Sequence, residues 1–213
     1  MQGDDTTRLA ALSVDAFSAA LASKEATPGG GAASAVAGAL AAALGGMVAN
    51  LTAGKKAYAA VDGEMRGLAE TAERLRAAFL ADADADAAAF APLAAVYRLP
   101  AATPEERARK EALMEERLRA AAAPPLRMME RCGETLALLE AAAEKGSALA
   151  RSDAGVGALF CKACLLGASL NVTANTRALR DRSQAEALDA RARGLIARCA
   201  PRADALYARV ITL

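Results

Sequence analysis

Residues 27–54 read TPGGGAASAVAGALAAALGGMVANLTAG, and no residue in this run is charged. It opens on Thr27-Pro28-Gly29-Gly30-Gly31, carries Asn50 near its end, and is closed by Lys55, Lys56 and Tyr58. Alanine is the strongest helix former, so the run predicts a helix that starts in a glycine turn and reaches about Thr52. A helix N-terminus exposes backbone N–H groups, and glycines at that end let a ligand approach the backbone closely. Gly38, Ala42 and Gly46 are four apart and share a face on which a second helix could come very near. The run therefore predicts a buried central helix with a site at one or both ends. Taken by itself, an alanine-rich core helix behind a glycine turn is the plainer reading.

The rest of the chain is built to match. Its 213 residues suffice for one domain with a sizeable core. Hydrophobic residues make up 54% and aromatics only 3%. Runs of Val, Ile and Thr that would mark strands are missing, and the expected fold is all-α, a multihelical bundle. The formal net charge is +1, with no basic block and few aromatics to stack on bases, so no nucleic-acid partner is expected. There is no histidine, which removes the commonest general base and the commonest metal ligand; no metal is expected, and acid–base chemistry falls to Asp, Glu, Lys, Tyr, Cys or water. Cys161 and Cys164 form a C-x-x-C without a second ligand pair, and with Cys132 and Cys199 they read as buried small side chains. The first residues show no basic-then-apolar signal pattern, giving the expectation of a cytoplasmic protein with reduced thiols. The uncharged run is long enough to span a bilayer, but Ala and Gly drive insertion weakly, and no membrane partner is expected.

In chain order, residues 1–11 read as a flexible start and 12–213 as a single helical domain. Ser13 is placed to cap a helix running to about Ser23. Gly54-Lys55-Lys56 breaks the chain after the uncharged helix, and a helix from about Val61 to Tyr97 follows, with Pro92 as its candidate kink. Thr103-Pro104-Glu105-Glu106 has the form of a capping box with proline at the first helical position. Pro124-Pro125 should break or kink that helix before Lys145-Gly146 stops it. Ser152-Asp153 should cap the next helix, and the last should begin near Ser183 with a kink near Pro201.

Three polar groups stand out. Asp82-Ala83-Asp84-Ala85-Asp86 places Asp82 and Asp86 four apart, with Asp84 pointing elsewhere. On a solvated face this is ordinary, but Phe79, Leu80, Phe90 and Leu93 flank the triplet, and partial burial would raise a carboxyl pKa into a useful range. Asn171 and Asn175 share a helix face and need partners, either across a helix pair or on a planar polar ligand. Lys55 and Lys56 are either exposed charges or counter-ions to a substrate carboxylate.

In this order and spacing the chain resembles the cyclodeaminase/cyclohydrolase family of folate enzymes. That family includes the C-terminal cyclodeaminase domain of formiminotransferase-cyclodeaminase and stand-alone methenyltetrahydrofolate cyclohydrolases. The resemblance rests on Thr27–Gly31, on Met47-Val48-Ala49-Asn50-Leu51-Thr52 with Gly54-Lys55-Lys56, and on Asp84-Ala85-Asp86 with Phe90. It continues through Leu99-Pro100, Thr103–Glu106, Ser152-Asp153 and Asn171-Val172 with Asn175. It implies an all-helical bundle in an interlocked homodimer, with a tetrahydrofolate derivative bound near the subunit interface as substrate and no prosthetic group. It also implies that the catalytic acid, the aspartate four residues before the phenylalanine, is Asp86. The residue after the glycine triplet, commonly serine in the family, is Ala32 here.

The resulting expectation is a methenyltetrahydrofolate cyclohydrolase. The alternatives are a formiminotetrahydrofolate cyclodeaminase and a folate-binding helical protein without catalysis. The catalytic candidates are Asp86, Asp84 and Lys55. The substrate-binding candidates are Gly29, Gly30, Gly31, Asn50, Lys56, Tyr58, Ser152, Asp153, Asn171 and Asn175. Small residues on several faces of the uncharged helix (Ala35, Gly38, Ala39, Ala42, Gly46) predict that a second subunit completes its cover.

Overall fold

The computed structural model describes residues 8–212. Among these there is no strand. The order is α1 (Val14–Leu21), α2 (Gly30–Thr52), α3 (Asp62–Tyr97), α4 (Pro104–Lys145), α5 (Arg151–Ala178) and α6 (Arg182–Ile211). Short 3-10 turns at Leu9–Ala11, Lys56–Val61 and Ala148–Ala150 precede α1, α3 and α5.

Local chemistry sets the ends. The Ser13 hydroxyl accepts from the Ala16 N–H at 3.1 Å and starts α1. At α4, Thr103 Oγ1 accepts from the Glu106 N–H at 3.2 Å, and Glu106 Oε2 accepts from the Thr103 N–H at 3.1 Å, a complete capping box. Asp181 caps α6 by accepting from the Gln184 N–H at 3.0 Å. No side chain caps α2; its N-cap is Gly29.

The uncharged helix α2 packs against α3, α4 and α5, and its glycines explain how closely. A Cβ placed on Gly38 would lie 2.6 Å from the Phe79 ring and 2.9 Å from Cys164 Sγ, and one on Gly46 would lie 3.0 Å from Ala72 Cβ. As α2 ascends from Gly31 through Gly38 to Gly46, its neighbours on α3 descend from Asp86 through Phe79 to Ala72, so the two helices are antiparallel. Gly30 lies beside Asn171, Ser34 beside Gly167 and Gly38 beside Cys164, so α5 is antiparallel to α2 as well.

Several expectations change here. Ala35, Gly38, Ala39, Ala42 and Gly46 are all buried within the one chain, so the small residues seat α3, α4 and α5 and not a second subunit. The large apolar side chains of α2 left exposed are Leu40, Met47 and Leu51. Pro124 and Pro125 do not break α4. Two consecutive prolines remove only two helical N–H donors, and the flanking Ala121, Ala122, Leu126, Met128 and Met129 are held in the core. Likewise α3 continues through Pro92 and α6 through Pro201. Ser152 and Asp153 lie inside the first turn of α5 and do not cap it; Ala150 is the N-cap, without a side-chain bond. Asp153 there still favours the positive end of the helix dipole. The expected flexible start at 1–11 is docked from Arg8 onward, because Asp84 accepts from the Leu9 N–H at 2.7 Å; residues 1–7 lie outside the described residues.

The cysteines are buried free thiols. Cys132 Sγ donates to the Cys161 carbonyl at 3.6 Å and Cys161 Sγ to the Cys132 carbonyl at 3.4 Å, tying α4 to α5. Hydrogen bonding among Cys132, Cys161 and Cys164, together with burial, holds the Cys132 thiol well above its ordinary range. Both α2 and the 148–178 stretch are long and apolar enough to cross a membrane, yet each is packed lengthwise against other helices of the bundle.

Candidate active site

The glycine start of α2, the middle of α3 and the second half of α5 converge. A Cβ on Gly31 would lie 2.2 Å from Asp86 Oδ2 and 2.4 Å from both Cγ and Oδ1, so the Asp86 carboxyl rests directly on the Gly31 backbone. A Cβ on the exposed Gly30 would lie 3.8 Å from Asn171 Nδ2, which places the Asn171 amide on the other side of the same turn. Asp86 is half-buried, and burial alone raises its pKa from 3.8 to about 6. No side chain caps the N–H groups of the first turn of α2, where Gly30 is exposed and Gly31 and Ala32 are buried.

The three aspartates have separate fates. Asp82 is the one charged side chain that is buried among the described residues. It accepts from Arg127 Nε at 3.1 Å and from Arg131 Nε at 2.7 Å, clamping α3 to α4. The plainer reading of the triplet, carboxylates on a solvated face, does not hold for Asp82: it shares the helix face with Asp86, but α4 brings two guanidinium groups to it. Asp84 holds the Leu9 backbone and Arg8 Nε, the latter at 3.5 Å. Asp86 is desolvated without a charged neighbour to hold its carboxylate.

Asn171 Nδ2 donates to the Gly167 carbonyl at 2.9 Å, and Asn175 Nδ2 to the Asn171 carbonyl at 2.9 Å. These bonds lie within α5, where an interhelical bond was one expectation, and they leave the amide oxygens as acceptors. Ser34, which no motif singled out as a site residue, is buried next to this cluster. Its hydroxyl donates to the Gly30 carbonyl at 2.7 Å, and a Cβ on Gly167 would lie 2.4 Å from its Oγ. Its spacing of four from Gly30 was the available signal.

The other candidates gather at the opposite end of α2. Lys55 and Lys56 are exposed, and Tyr58 Oη accepts from the Ala148 N–H at 3.2 Å. That bond, a second one to Ser147 and the charges of Lys55 and Arg151 hold the Tyr58 phenol below its ordinary range. Arg151, also unforeseen, joins this cluster at the head of α5 beside Ser152 and Asp153; a cation immediately before that pair was its only trace in sequence. Asn50 lines a groove of about 260 Å³ between α2 and α3 with Gly46, Met47, Ala72 and Arg76. At 1.5 Å per residue, Gly31 and Thr52 are about 32 Å apart along α2, so one chain does not bring the two clusters together. Among the described residues there is no cluster of three metal-ligating side chains.

Helices without a sheet, a desolvated carboxyl against an uncapped helix N-terminus and an amide beside it define an all-helical domain with a candidate acid–base group. Comparison with known proteins gives the lineage. The profile of the family described as formiminotransferase-cyclodeaminase matches residues 13–194. The methenyltetrahydrofolate cyclohydrolase of Methylorubrum extorquens is 39% identical over 197 residues, 92% of this chain and 95% of its own. The formimidoyltransferase-cyclodeaminase of Gallus gallus is 32% identical over 179 residues; the match covers 84% of this chain but only 33% of that longer protein. The crystal structure of formiminotetrahydrofolate cyclodeaminase from Thermotoga maritima superposes with a TM-score of 0.79 at 28% identity, covering 94% of this chain and 98% of that one. The chain belongs to the formiminotransferase-cyclodeaminase family.

Proposed function

We propose that this protein is a methenyltetrahydrofolate cyclohydrolase, opening the one-carbon bridge of methenyltetrahydrofolate to give 10-formyltetrahydrofolate. The near end-to-end match to a cyclohydrolase supports the substrate class. The observation that carries the chemistry is the Asp86 carboxyl, desolvated on Gly31 with its pKa at about 6. At neutral pH it is mostly ionised and can take a proton from water as the water oxygen bonds to the cationic bridge carbon. Protonated, it then delivers that proton to the ring nitrogen as the carbon–nitrogen bond breaks. The hydroxyl proton of the adduct leaves to solvent as the formyl group forms, so the net reaction releases one proton. Asn171 and Asn175 offer amide oxygens to a planar heterocycle, and Gly29–Gly31 admit it to the helix N-terminus. Asp84 is occupied in holding the N-terminal turn, which leaves the proton transfer to Asp86.

The working unit we infer is an interlocked homodimer with α2 at its centre. Leu40, Met47 and Leu51 on α2, and Val156, Leu159, Phe160, Leu166 and Leu170 on the adjacent α5, are exposed large apolar side chains on neighbouring helices. A patch of that kind is uncommon on a monomer. A two-fold axis that sets two copies of α2 antiparallel brings the Asp86 end of one subunit to the Lys55–Tyr58 end of its partner. Lys55, Lys56, Ser152 and Asp153 then serve the substrate of the partner. Four free thiols fit a reducing, cytoplasmic setting.

Formiminotetrahydrofolate cyclodeaminase is the second reading, favoured by the activity for which the superposed Thermotoga maritima protein is named. In it Asp86 protonates departing ammonia as the bridge closes. Steady-state assays with both folates separate the two. Hydrolysis of the methenyl compound is the expected result; ammonia release from the formimino compound without any such hydrolysis would overturn it.

A further inference from the structure

We propose that Gly31 is a positioning residue for Asp86: the missing side chain at this helical position is the seat that keeps the Asp86 carboxyl pressed against α2 and away from water. The inference rests on the reading of Asp86 as the acid/base group, but its geometry stands apart from that reading. All three carboxyl atoms of Asp86 lie within 2.4 Å of where a Cβ on Gly31 would be, closer than real Cβ contacts permit. Gly31 carries an ordinary helical backbone and not a positive φ, so its need for glycine comes from the neighbour and not from conformation. The adjacent glycine differs. At Gly30 the nearest side-chain atom is 3.8 Å away, ordinary contact, and a methyl group fits.

Within the one chain the seat acts by excluding solvent, because the charge that the chain itself brings there is absent or already paired. The facing turn of α2 belongs to a stretch with no charged residue, and α5 offers the neutral amide of Asn171. On α3 itself Asp82 is tied to Arg127 and Arg131, and Asp84 to Arg8 and the Leu9 N–H. A methyl group at 31 turns the Asp86 side chain about its own two torsions toward water while the backbone stays in place. The carboxyl then regains solvation and its proton affinity falls.

The test is carboxyl ¹³C titration of aspartate-labelled protein, with the Asp86 signal identified by its loss in Asp86→Asn. The parent signal should titrate at about 6. In Gly31→Ala it should move by at least one unit toward the ordinary carboxylate value, whereas in Gly30→Ala it should stay in place even if substrate KM rises. The pH–rate profile of Gly31→Ala should shift with the titration. If Asp86 titrates at about 6 in the parent and at the same value in Gly31→Ala, the seat does not exist. If the titration moves but turnover does not follow, the seat stands and the catalytic reading of Asp86 fails. Should Gly31→Ala fold poorly, Gly31→Ala combined with Asp86→Ala provides a second measurement, since removing the carboxyl removes the collision. The lost melting temperature should return in the double variant, and its failure to return overturns the proposal.

Discussion

At the scale of single residues, one helix carries three aspartates put to three uses, and the neighbours decide which. Asp86 has no charged partner and is pushed up to about 6 by burial. Between its ordinary value of 3.8 and 6 the folded chain holds a proton that the unfolded chain has released, so this group's contribution to stability falls as pH rises through that window. Asp86→Asn removes that loss. Its melting temperature at about pH 8 should exceed that of the parent, with the difference fading toward about pH 4. The same variant should lower turnover by about 10²–10⁴-fold with folate affinity changed far less. In the parent, hydrolysis should rise with pH through about 6, because the step begins with the carboxylate. Asp82 gives the opposite outcome. Its carboxyl answers two guanidinium groups from a buried position, and Asp82→Asn should cost about 1–3 kcal/mol in chemical denaturation while leaving the pH–rate limb in place.

At the scale of elements, α2 is shaped by what lies against it. Gly31, Gly38 and Gly46 are sites of interhelical approach, each matched to a particular group on α3 or α5. Gly38→Leu should therefore damage the subunit itself, since the new side chain meets the Phe79 ring and Cys164 inside the chain. The expected cost is about 1–3 kcal/mol or more, seen as a lowered denaturation midpoint, with no specific loss of dimer. Helix α4 obeys different controls at its start and along its length. A threonine, a proline and a glutamate specify its start within four residues, but Pro124 and Pro125 fail to specify an end because core packing on either side holds the helix through them.

At the scale of the whole molecule, the two candidate clusters sit at opposite ends of α2, and the apolar side chains of α2 and α5 remain uncovered. Both observations fit the homodimer proposed above. Leu40→Lys with Phe160→Lys should convert a sedimenting dimer to a monomer and reduce turnover, while helix content by circular dichroism stays near that of the parent. A parent protein that sediments as a fully active monomer at micromolar concentration would show that one chain suffices.

By itself the sequence determined what depends on residues close together in the chain. The all-helical class follows from composition and spacing, the starts of α1 and α4 from Ser13 and from Thr103–Glu106, and the glycine turn before α2 from Thr27–Gly31, because helix periodicity and capping are set within a turn or two. It also singled out Asp86, Asn171 and the glycines as separate candidates, and the family to which they belong. Only the tertiary structure decided which of them meet. Asp82 and Asp86 are indistinguishable by spacing, yet the groups that define Asp82 are Arg127 and Arg131 on another helix, whereas Asp86 is defined by the absence of a side chain at Gly31. Desolvation and charge pairing act through space, so the ionisation of a carboxyl depends on what the opposing helices bring to it, and local sequence rules do not reach that far.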